Sequence, residues 1–336
     1  MTAGAITYRD IGPQDFDALF ALVSIWEVTR NLGSWSWPPD EALARERTQP
    51  FQGEGFVWVM CKDGAFIGTV SVVRGVLGYM LHPDHHGKGI MQNAVRDALS
   101  HAFESFGVQE VTADTWADNV ASKHILTTFG FTLTVQEVVH ALARDELTES
   151  ETYRLTREAW FSRNPPQLVT QRLVLHPLKP EHAEAVVRIV GNYEVSKWLQ
   201  PVPHPYDISD AHAFLNRVAS GDEGPVWAIT QKDEVIGVIG VDEGLGYYLQ
   251  PEDWGQGLMS EAVAAVLAWR FTDSALDRIK SGYFEGNHGS RRVLEKAGFN
   301  HVGQDIRFCT ARNEKVPHHN VDLTRERWSA LKQAHE

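Results

Sequence analysis

The feature that most constrains this chain is an internal repeat of domain size. Residues 77–91 match residues 245–259 at a constant spacing of 168 positions. The same spacing separates other matching residues, namely Asn119 and Asn287, Ser122 and Ser290, Gly130 and Gly298, and Trp160 and Trp328. A solenoid needs three or more short units, so two long copies indicate a duplicated domain.

The chain of 336 residues suits two domains of ordinary size, because single hydrophobic cores stop growing below this length. We predict an N-terminal domain over residues 1–161 and a C-terminal domain over residues 168–336. Residues 162–167 between them contain a proline pair and no apolar period. Such a segment is typical of a short, stiff linker.

Each copy has the pattern of a mixed α/β domain. In the first copy, runs rich in β-branched and aromatic residues predict antiparallel strands at 58–60, 66–73 and 77–81. After a pair of glycines, apolar residues recur on one helical face. A further strand and a short helix that ends at Gly130 or Gly298 complete the copy. The predicted fold class is therefore α/β, with a mostly antiparallel mixed sheet and flanking helices.

A Gly-x-Gly turn joins a strand to a helix in both copies, at residues 87–89 and 255–257. Such a turn presents unobstructed backbone N–H groups at the positive end of a helix dipole, which predicts an anion site suited to pyrophosphate. It is not a nucleotide P-loop, because no Gly-Lys-Ser/Thr ending follows a six-residue loop. A Rossmann fingerprint is excluded too, because the preceding strands form an antiparallel meander.

The charge balance argues against nucleic acid and anionic membranes as partners. The chain has 31 Lys and Arg residues against 44 Asp and Glu residues, a net charge of −13. No apolar run reaches the roughly 18 residues of a membrane span, and residues 1–5 do not resemble a signal segment. We expect a cytoplasmic protein in which Cys61 and Cys309 are buried free thiols.

Three blocks of the second copy resemble a known family. Residues 170–175, 251–262 and 287–299 are similar to the RimJ/RimL-like ribosomal-protein N-terminal acetyltransferase branch of the GCN5-related N-acetyltransferase (GNAT) superfamily, a resemblance that spans nearly all of 168–330. The first copy carries the same blocks at 86–91 and 119–131. The resemblance implies two tandem GNAT domains, in each of which the fourth strand splays from the fifth and acetyl-CoA enters the cleft between them.

The resemblance also implies which residues hold acetyl-CoA, the acyl donor. The end of the fourth strand would offer backbone groups to the pantetheine arm, the glycine turn would hold the pyrophosphate, and an asparagine would hydrogen-bond the pantetheine. In the second copy these residues are Leu249, Gln250, Trp254, Gly255, Gln256, Gly257, Leu258, Met259 and Asn287. In the first copy they are Leu81, His82, His86, Gly87, Lys88, Gly89, Ile90, Met91 and Asn119. The family usually has Arg or Gln where His86 and Trp254 stand.

Direct acyl transfer to an amine needs an unprotonated nitrogen and stabilisation of the departing thiolate. The resemblance places Ser290 and Ser122 near the thioester sulfur, as hydrogen-bond partners or proton donors. Glu243, beside Asp242, is the candidate base because it precedes the splayed strand, and an acidic turn is the alternative. The histidines around position 85 have no matching ligand set in the second copy, so no metal is expected.

These observations predict an acetyl-CoA-dependent N-acetyltransferase that modifies a primary amine, either a protein N-terminus or a small molecule. An acyl-CoA-binding regulatory module without turnover is the alternative. Asn93 stands where the second copy has Glu261, so the second domain is expected to be catalytic. The first is then a second active site or a degenerate partner in a pseudo-dimer within one chain. Trp- and Pro-rich segments at 35–39 and 198–206 either wall the acceptor site or pack the helices against the sheet.

Overall fold

The chain divides after Trp160 into two compact units, Met1–Trp160 and Phe161–Glu336. Our computed structural model describes residues 6–242, 244–273 and 276–333. Within these ranges no helix has the length and apolar character needed to cross a bilayer. The predicted domain limits stay a prediction, and each unit is described by itself.

The first unit is built on one seven-stranded sheet in the order β1-β2-β3-β4-β5-β7-β6. Its strands are β1 (Ile6–Asp10), β2 (Gly55–Lys62), β3 (Ala65–Val73), β4 (Val76–Leu81), β5 (Glu110–Trp116), β6 (Thr132–Ala141) and β7 (Glu146–Thr156). Its helices are α1 (Phe16–Val23), α2 (Trp26–Thr29), α3 (Glu41–Arg47), α4 (Ile90–Ser105) and α5 (Val120–Thr128), and α6 (Arg157–Arg163) begins in this unit and ends in the second. Among residues 6–160 of this unit, only β4 and β5 pair in parallel, through the single register pair Val76 and Thr112.

The second unit divides the same arrangement into two sheets, in the orders β12-β11-β10-β9-β8 and β13-β15-β14. Its strands are β8 (Leu168–Val169), β9 (Val174–Pro177), β10 (Val226–Gln231), β11 (Glu234–Val241), β12 (Leu245–Leu249), β13 (Arg278–Phe284), β14 (Asn300–Cys309) and β15 (Glu314–Thr324). Its helices are α7 (Ala183–Val190), α8 (Tyr193–Ser196), α9 (Ile208–Ser220), α10 (Leu258–Arg270), α11 (His288–Lys296) and α12 (Arg325–Gln333).

The predicted splay is confirmed in both units. In the second unit, β12 and β13 are joined by one isolated parallel bridge between Gly244 and Lys280. The Ser281 hydroxyl donates a hydrogen bond to the Leu245 carbonyl at 2.8 Å, close to that bridge. Because parallel strands need repeated hydrogen bonds to stay together, one bridge holds the strands only at this end, and within the described residues the remainder of the β12 edge has no partner strand.

Two apolar clusters cover the opposite faces of the second unit's sheets. On one face α10 buries residues that follow the predicted helical period, namely Ala262, Val263, Val266 and Leu267. On the other face α7 and α9 pack against β10 and β11 through residues such as Val186, Leu215 and Ala228. The α/β class is therefore confirmed, and the cleft between β12 and β13 opens through a sheet that is covered by helices on both sides.

The predicted linker is wrong at its start. Residues 162 and 163 belong to α6, which begins at Arg157 and continues to Arg163. Phe161 is buried against Trp269, with ring centroids 5.7 Å apart, so an apolar contact stabilises the helix beyond Trp160. The proline pair ends regular structure only from position 164 onwards. Cys61 and Cys309 are buried free thiols, as predicted.

The approach of β11 to β12 depends on a glycine. A Cβ atom on Gly237 would lie 2.3 Å from the Tyr248 carbonyl oxygen, whereas a Cβ on Gly246 would meet nothing within 4 Å. We therefore expect Gly237→Ala to destabilise the second unit by about 1–3 kcal/mol, through overpacking. Gly246→Ala is the matched control and should be close to neutral. Calorimetric unfolding checks this, and equal Tm values for the two variants would contradict the assigned packing.

Candidate active site

A large cleft opens in the second unit where β12 and β13 separate. Its volume is about 1460 Å³, above the roughly 300–1,000 Å³ that is typical of pockets for one small ligand. Residues from β12, from the turn before α10 and from the start of α11 line one part of it. Another part is lined by aromatic and other apolar residues, which we call the aromatic wall: Trp198, Leu199, Pro201, Val202, Pro203, Tyr206 and Phe214. The cleft therefore has room for two ligands.

Alternate residues of β12 direct their backbone groups into the cleft. The Gln250 N–H donates to the Ile236 carbonyl of β11 at 2.9 Å, so this predicted contact of the pantetheine uses its N–H within the sheet. Since backbone groups alternate between the two edges of a strand, Leu249 and Tyr247 face the cleft. In the first unit the His82 N–H likewise donates to the Ile67 carbonyl, at 2.8 Å.

The two residues that depart from the family pattern make the same contact in both units. The Trp254 indole N–H donates to the Leu249 carbonyl at 2.9 Å. His86 Nε2 lies 2.9 Å from the Leu81 carbonyl, which only accepts hydrogen bonds, so this nitrogen carries the proton. Each ring therefore connects the glycine turn to the end of the splayed strand. The signal was present in the sequence, because both residues are ring N–H donors at equivalent positions.

The glycine turn needs its glycines for their backbone conformation. Gly255 and Gly257 have φ values of +75° and +78°, and Gly87 and Gly89 have +70° and +71°. Left-handed values of this kind are costly for residues with a Cβ atom. The turn leads directly into α10, whose first N–H groups have no partner within the helix. The structure thus provides the anion-binding geometry on which the pyrophosphate prediction depends.

The side chains of the turn leave that N–H surface open. The Gln256 amide donates back to the Glu252 carbonyl at 3.0 Å. The Lys88 ammonium donates to the Asp84 carbonyl at 2.6 Å in the first unit. The side chains of Leu258, Met259, Ile90 and Met91 are buried. These predicted cofactor contacts can therefore act only through their backbone.

A partly buried carboxylate, that of Glu261, stabilises the turn in the second unit. Glu261 accepts hydrogen bonds from the Thr170 hydroxyl at 2.6 Å and from the Arg172 side chain at 2.7 Å. Arg172 also donates to the Gln256 carbonyl at 3.0 Å. Burial alone would raise the pKa of Glu261, but the hydrogen bonds from Thr170 and Arg172 outweigh it and hold that pKa below its usual value. Sequence reasoning noted Glu261 but missed Arg172 as its partner.

Each predicted serine is hydrogen-bonded to a tyrosine of the splayed strand. The Tyr247 and Ser290 hydroxyl oxygens are 3.0 Å apart, and those of Tyr79 and Ser122 are 2.6 Å apart. Burial raises the pKa of Tyr79 to about 12 and also raises the pKa of Tyr247. Both phenols are therefore neutral donors at neutral pH. Sequence reasoning missed the tyrosines, although they are 168 positions apart like the serines.

The two predicted asparagines begin α5 and α11 as helix caps. Asn119 Oδ1 accepts a hydrogen bond from the Ser122 N–H, and Asn287 Oδ1 accepts one from the Ser290 N–H, each at 3.1 Å. The cap explains these asparagines structurally. Their side-chain NH₂ groups stay available as donors, so the predicted contact with pantetheine stays a prediction.

The predicted base cannot be placed, because Glu243 lies outside the described residues. Its neighbour Asp242 is exposed and does not line the cleft. Two other ionisable groups of the cleft are buried, His318 and Asp322, with 8% and 7% of their surface exposed. Asp322 pairs with Arg278 at 3.1 Å. Sequence reasoning missed His318 because its first-unit counterpart is Ser150 and no local motif surrounds it.

The two Trp- and Pro-rich segments differ. Trp198 lines the cleft and packs beside Phe284. In the first unit Trp35 is fully buried in the core, whereas Trp37 is exposed and contacts Trp26. The second-unit segment therefore lines the cleft and Trp35 of the first-unit segment packs in the core, while an acceptor site beside the second-unit segment stays a prediction. Across the part of the chain that the structure describes, no group of three or more His, Cys, Asp or Glu residues could hold a metal ion.

Comparison with known proteins now decides the family. The sequence matches the Acetyltransferase (GNAT) domain twice, over residues 6–132 and 172–300. The chain belongs to the GNAT acetyltransferase family. The tandem GNAT prediction is thereby confirmed, and the protein is an acetyl-CoA-dependent acetyltransferase.

Curated relatives agree with this assignment. The protein named Uncharacterized N-acetyltransferase YoaA, from Bacillus subtilis (strain 168), is 30% identical over 151 residues, which are 41% of this chain and 85% of that protein. Uncharacterized N-acetyltransferase p20 from Bacillus licheniformis is 30% identical over 149 residues, or 40% and 83% of the two chains. The solved structure of Mycobacterium smegmatis RimJ in complex with CoA-disulfide is 23% identical, with a TM-score of 0.43, over 48% of this chain and 88% of that one.

The second GNAT domain fits acetyl-CoA by its own geometry. The open β12 edge supplies backbone groups for an extended arm, and the turn before α10 supplies N–H groups for a pyrophosphate. We propose that Leu249, Tyr247, the turn at 254–259 and Asn287 hold the acyl donor. When bound, acetyl-CoA supplies an activated acetyl thioester.

The brace around Glu261 generates a prediction about stability. Glu261→Gln replaces the partly buried carboxylate and should cost about 1.5–3 kcal/mol, the range for hydrogen bonds to charged groups. Because the folded pKa is lowered, the stabilisation is present above the usual pKa of 4.5 and is lost as the pH falls through the folded value.

Unfolding measured between pH 7 and pH 3 checks this prediction. Glu295→Gln removes a carboxylate that is 55% exposed and pairs with Arg291, so it is the matched control and should change stability little. A constant difference between wild type and Glu261→Gln across this pH range would contradict the assigned role of the carboxylate.

Proposed function

We propose that the second domain transfers the acetyl group of acetyl-CoA to a primary amine, and that the first domain supports it. The observation that carries the proposal is one continuous cleft, lined by the glycine turn, by Tyr247 and Ser290, and by the aromatic wall. A donor that lies along β12 and an acceptor that enters beside the aromatic wall would meet within it. Holding both reactants in one cleft removes much of the entropic cost of their reaction.

The charges of the cleft favour a peptide N-terminus over a polyamine as acceptor. The described lining residues include the cations Arg217, Arg278, Lys280, Arg292, Lys296 and Arg307, against the acids Asp210, Glu223, Asp253 and Asp322. A ligand with several positive charges would be repelled by this excess of cations. A peptide with one amine and an apolar first residue suits the aromatic wall. The motifs at 170–175 and 287–299, which resemble the RimJ/RimL-like branch, support the same acceptor class.

In this proposal Tyr247 and Ser290 stabilise the departing thiolate by hydrogen bonding. A thiol has a pKa near 8.5 and an ordinary phenol one near 10, and burial raises the pKa of Tyr247 further. Complete proton transfer from this phenol to the thiolate is therefore unfavourable. The tyrosine therefore donates a hydrogen bond as negative charge develops on sulfur, and water supplies the proton to the free thiol.

The test is acetyl-CoA-dependent thiol release with two acceptors, a peptide with a free N-terminal alanine and spermidine. We expect release with the peptide and little with spermidine. Tyr247→Phe should lower kcat by about 10²-fold, the usual effect of removing one donor to a developing charge. The matched first-domain variant Tyr79→Phe should leave kcat near the wild-type value.

Two outcomes would overturn the proposal. Acetyl-CoA binding without thiol release for either acceptor would favour a regulatory acyl-CoA-binding module. Equal kcat losses in Tyr247→Phe and Tyr79→Phe would mean that the second domain is not the principal catalytic domain.

A further inference from the structure

His318 lies on the face of the sheet that carries the aromatic wall. In the register of β13 and β15, Phe284 pairs with His318 and Gly282 pairs with Asn320. Directly paired residues of antiparallel strands share a face, so these four residues lie on one side. Phe284 packs beside Trp198 there. Intervening β13 and β15 residues such as Ile279 and Val321 face the opposite core, beneath α10.

Hydrogen bonds assign the tautomer of the His318 ring. Arg307 donates to Asn320 Oδ1 at 2.7 Å, and because a guanidinium only donates, that atom is an acceptor. His318 Nδ1 lies 3.2 Å from the same oxygen and must therefore carry the proton. Arg307 is itself held by Asp305, 3.1 Å away. Because the proton of the neutral ring is on Nδ1, Nε2 carries a lone pair that can accept a proton.

That lone pair is on the part of the ring nearest Gly282 of β13. A Cβ atom on Gly282 would lie 2.2 Å from His318 Cε1 and 2.7 Å from Nε2. The absence of a side chain on Gly282 is thus what admits the ring. Both residues line the cleft, and no described residue hydrogen-bonds Nε2. The His318 residue as a whole is only 8% exposed, and it lines the cleft, so its Nε2 is available to a ligand there.

The surroundings keep the ring neutral. Burial has the largest effect in lowering the pKa of His318, and the charge of Arg307 lowers it further, as does His319 on β15. Asp305 on β14 and the hydrogen bond to Asn320 oppose this only in part. On β13 the residues in contact with the ring, Gly282 and Phe284, carry no charge. The pKa of His318 therefore lies below its usual 6.5, and the imidazole can accept a proton at neutral pH.

We infer that His318 is the base that takes the proton from the acceptor amine, with Asn320 and Arg307 as positioning residues. The inference rests on the proposed function. The amine lone pair forms the bond to the acetyl carbon, and the electron pair of the C–S bond leaves with sulfur. One N–H proton moves to Nε2 and then to solvent, while the thiolate takes up a proton from water, so that the products are an amide and a free thiol.

A histidine is a sufficient base for this step because the nitrogen becomes positively charged, and far more acidic, as the N–C bond forms. The described residues of the first domain do not repeat this arrangement. Trp116 pairs with Ser150 where Phe284 pairs with His318. Asp114 stands where Gly282 does, and its carboxylate accepts a hydrogen bond from Thr152 at 2.6 Å. The base therefore belongs to the second domain alone.

The test compares His318→Gln with the matched first-domain variant Ser150→Ala, using the N-terminal alanine peptide. His318→Gln should lower kcat by about 10²-fold or more, with an unchanged calorimetric Kd for acetyl-CoA. The wild-type kcat should fall as the pH drops through the pKa of His318, below 6.5, and the variant should lack this acidic limb. Ser150→Ala should keep both the rate and the limb. If His318→Gln does not fold, His318→Asn replaces it.

A second readout needs no turnover. Ring ¹⁵N and ¹H NMR of the acceptor-free protein should show His318 with the proton on Nδ1 and a pKa below 6.5. A proton on Nε2, a pKa above 6.5, or unchanged kcat and pH profile in His318→Gln would overturn the inference while the proposed function stands. If the wild type binds acetyl-CoA but acetylates no amine, the proposed function fails, and the base assignment fails with it.

Discussion

The unpaired edge of β12 is the constraint on which the site of this protein depends. A strand edge in the middle of a sheet carries backbone donors and acceptors that need partners. At the start of β12, one bridge at Gly244 and one hydrogen bond from Ser281 join it to β13. At the end of β12, the ring N–H of Trp254 donates to the Leu249 carbonyl. The groups between them are available to an extended ligand, which explains how an open cleft can exist within an otherwise regular sheet.

Most of the fold could be predicted because the chain contains two copies of the domain, so that each strand or helix assigned in one copy could be checked against the other. Spacing of 168 residues fixed the equivalent strands, the glycine turns and the helices that end at Gly130 and Gly298. The start of the linker was wrong because residue 161 packs by a tertiary contact that no local pattern reports. In the site, the glycine turn was predictable, because a backbone with positive φ favours glycine and the sequence therefore shows where such a turn lies.

The side-chain chemistry was less predictable, because it depends on contacts across the sheet. Arg172 meets Glu261 from 89 positions away along the chain, and Tyr247 meets Ser290 from 43. His318 has a glycine beneath it and an asparagine beside it, a combination set only by the register of β13 and β15. The two copies share the tyrosine–serine pair, but Asn93 stands in the first copy where Glu261 stands in the second, and Ser150 stands where His318 does.

The central claim is that the glycine turn of the second domain holds acetyl-CoA. Calorimetric titration of acetyl-CoA into wild type, Gly255→Glu/Gly257→Glu and the matched Gly87→Glu/Gly89→Glu variant tests it most directly. The account predicts that the second-domain variant loses a site which the first-domain variant retains, because carboxylates and strained backbone would occupy the position of the pyrophosphate. Wild-type binding that survives unchanged in Gly255→Glu/Gly257→Glu would contradict the account.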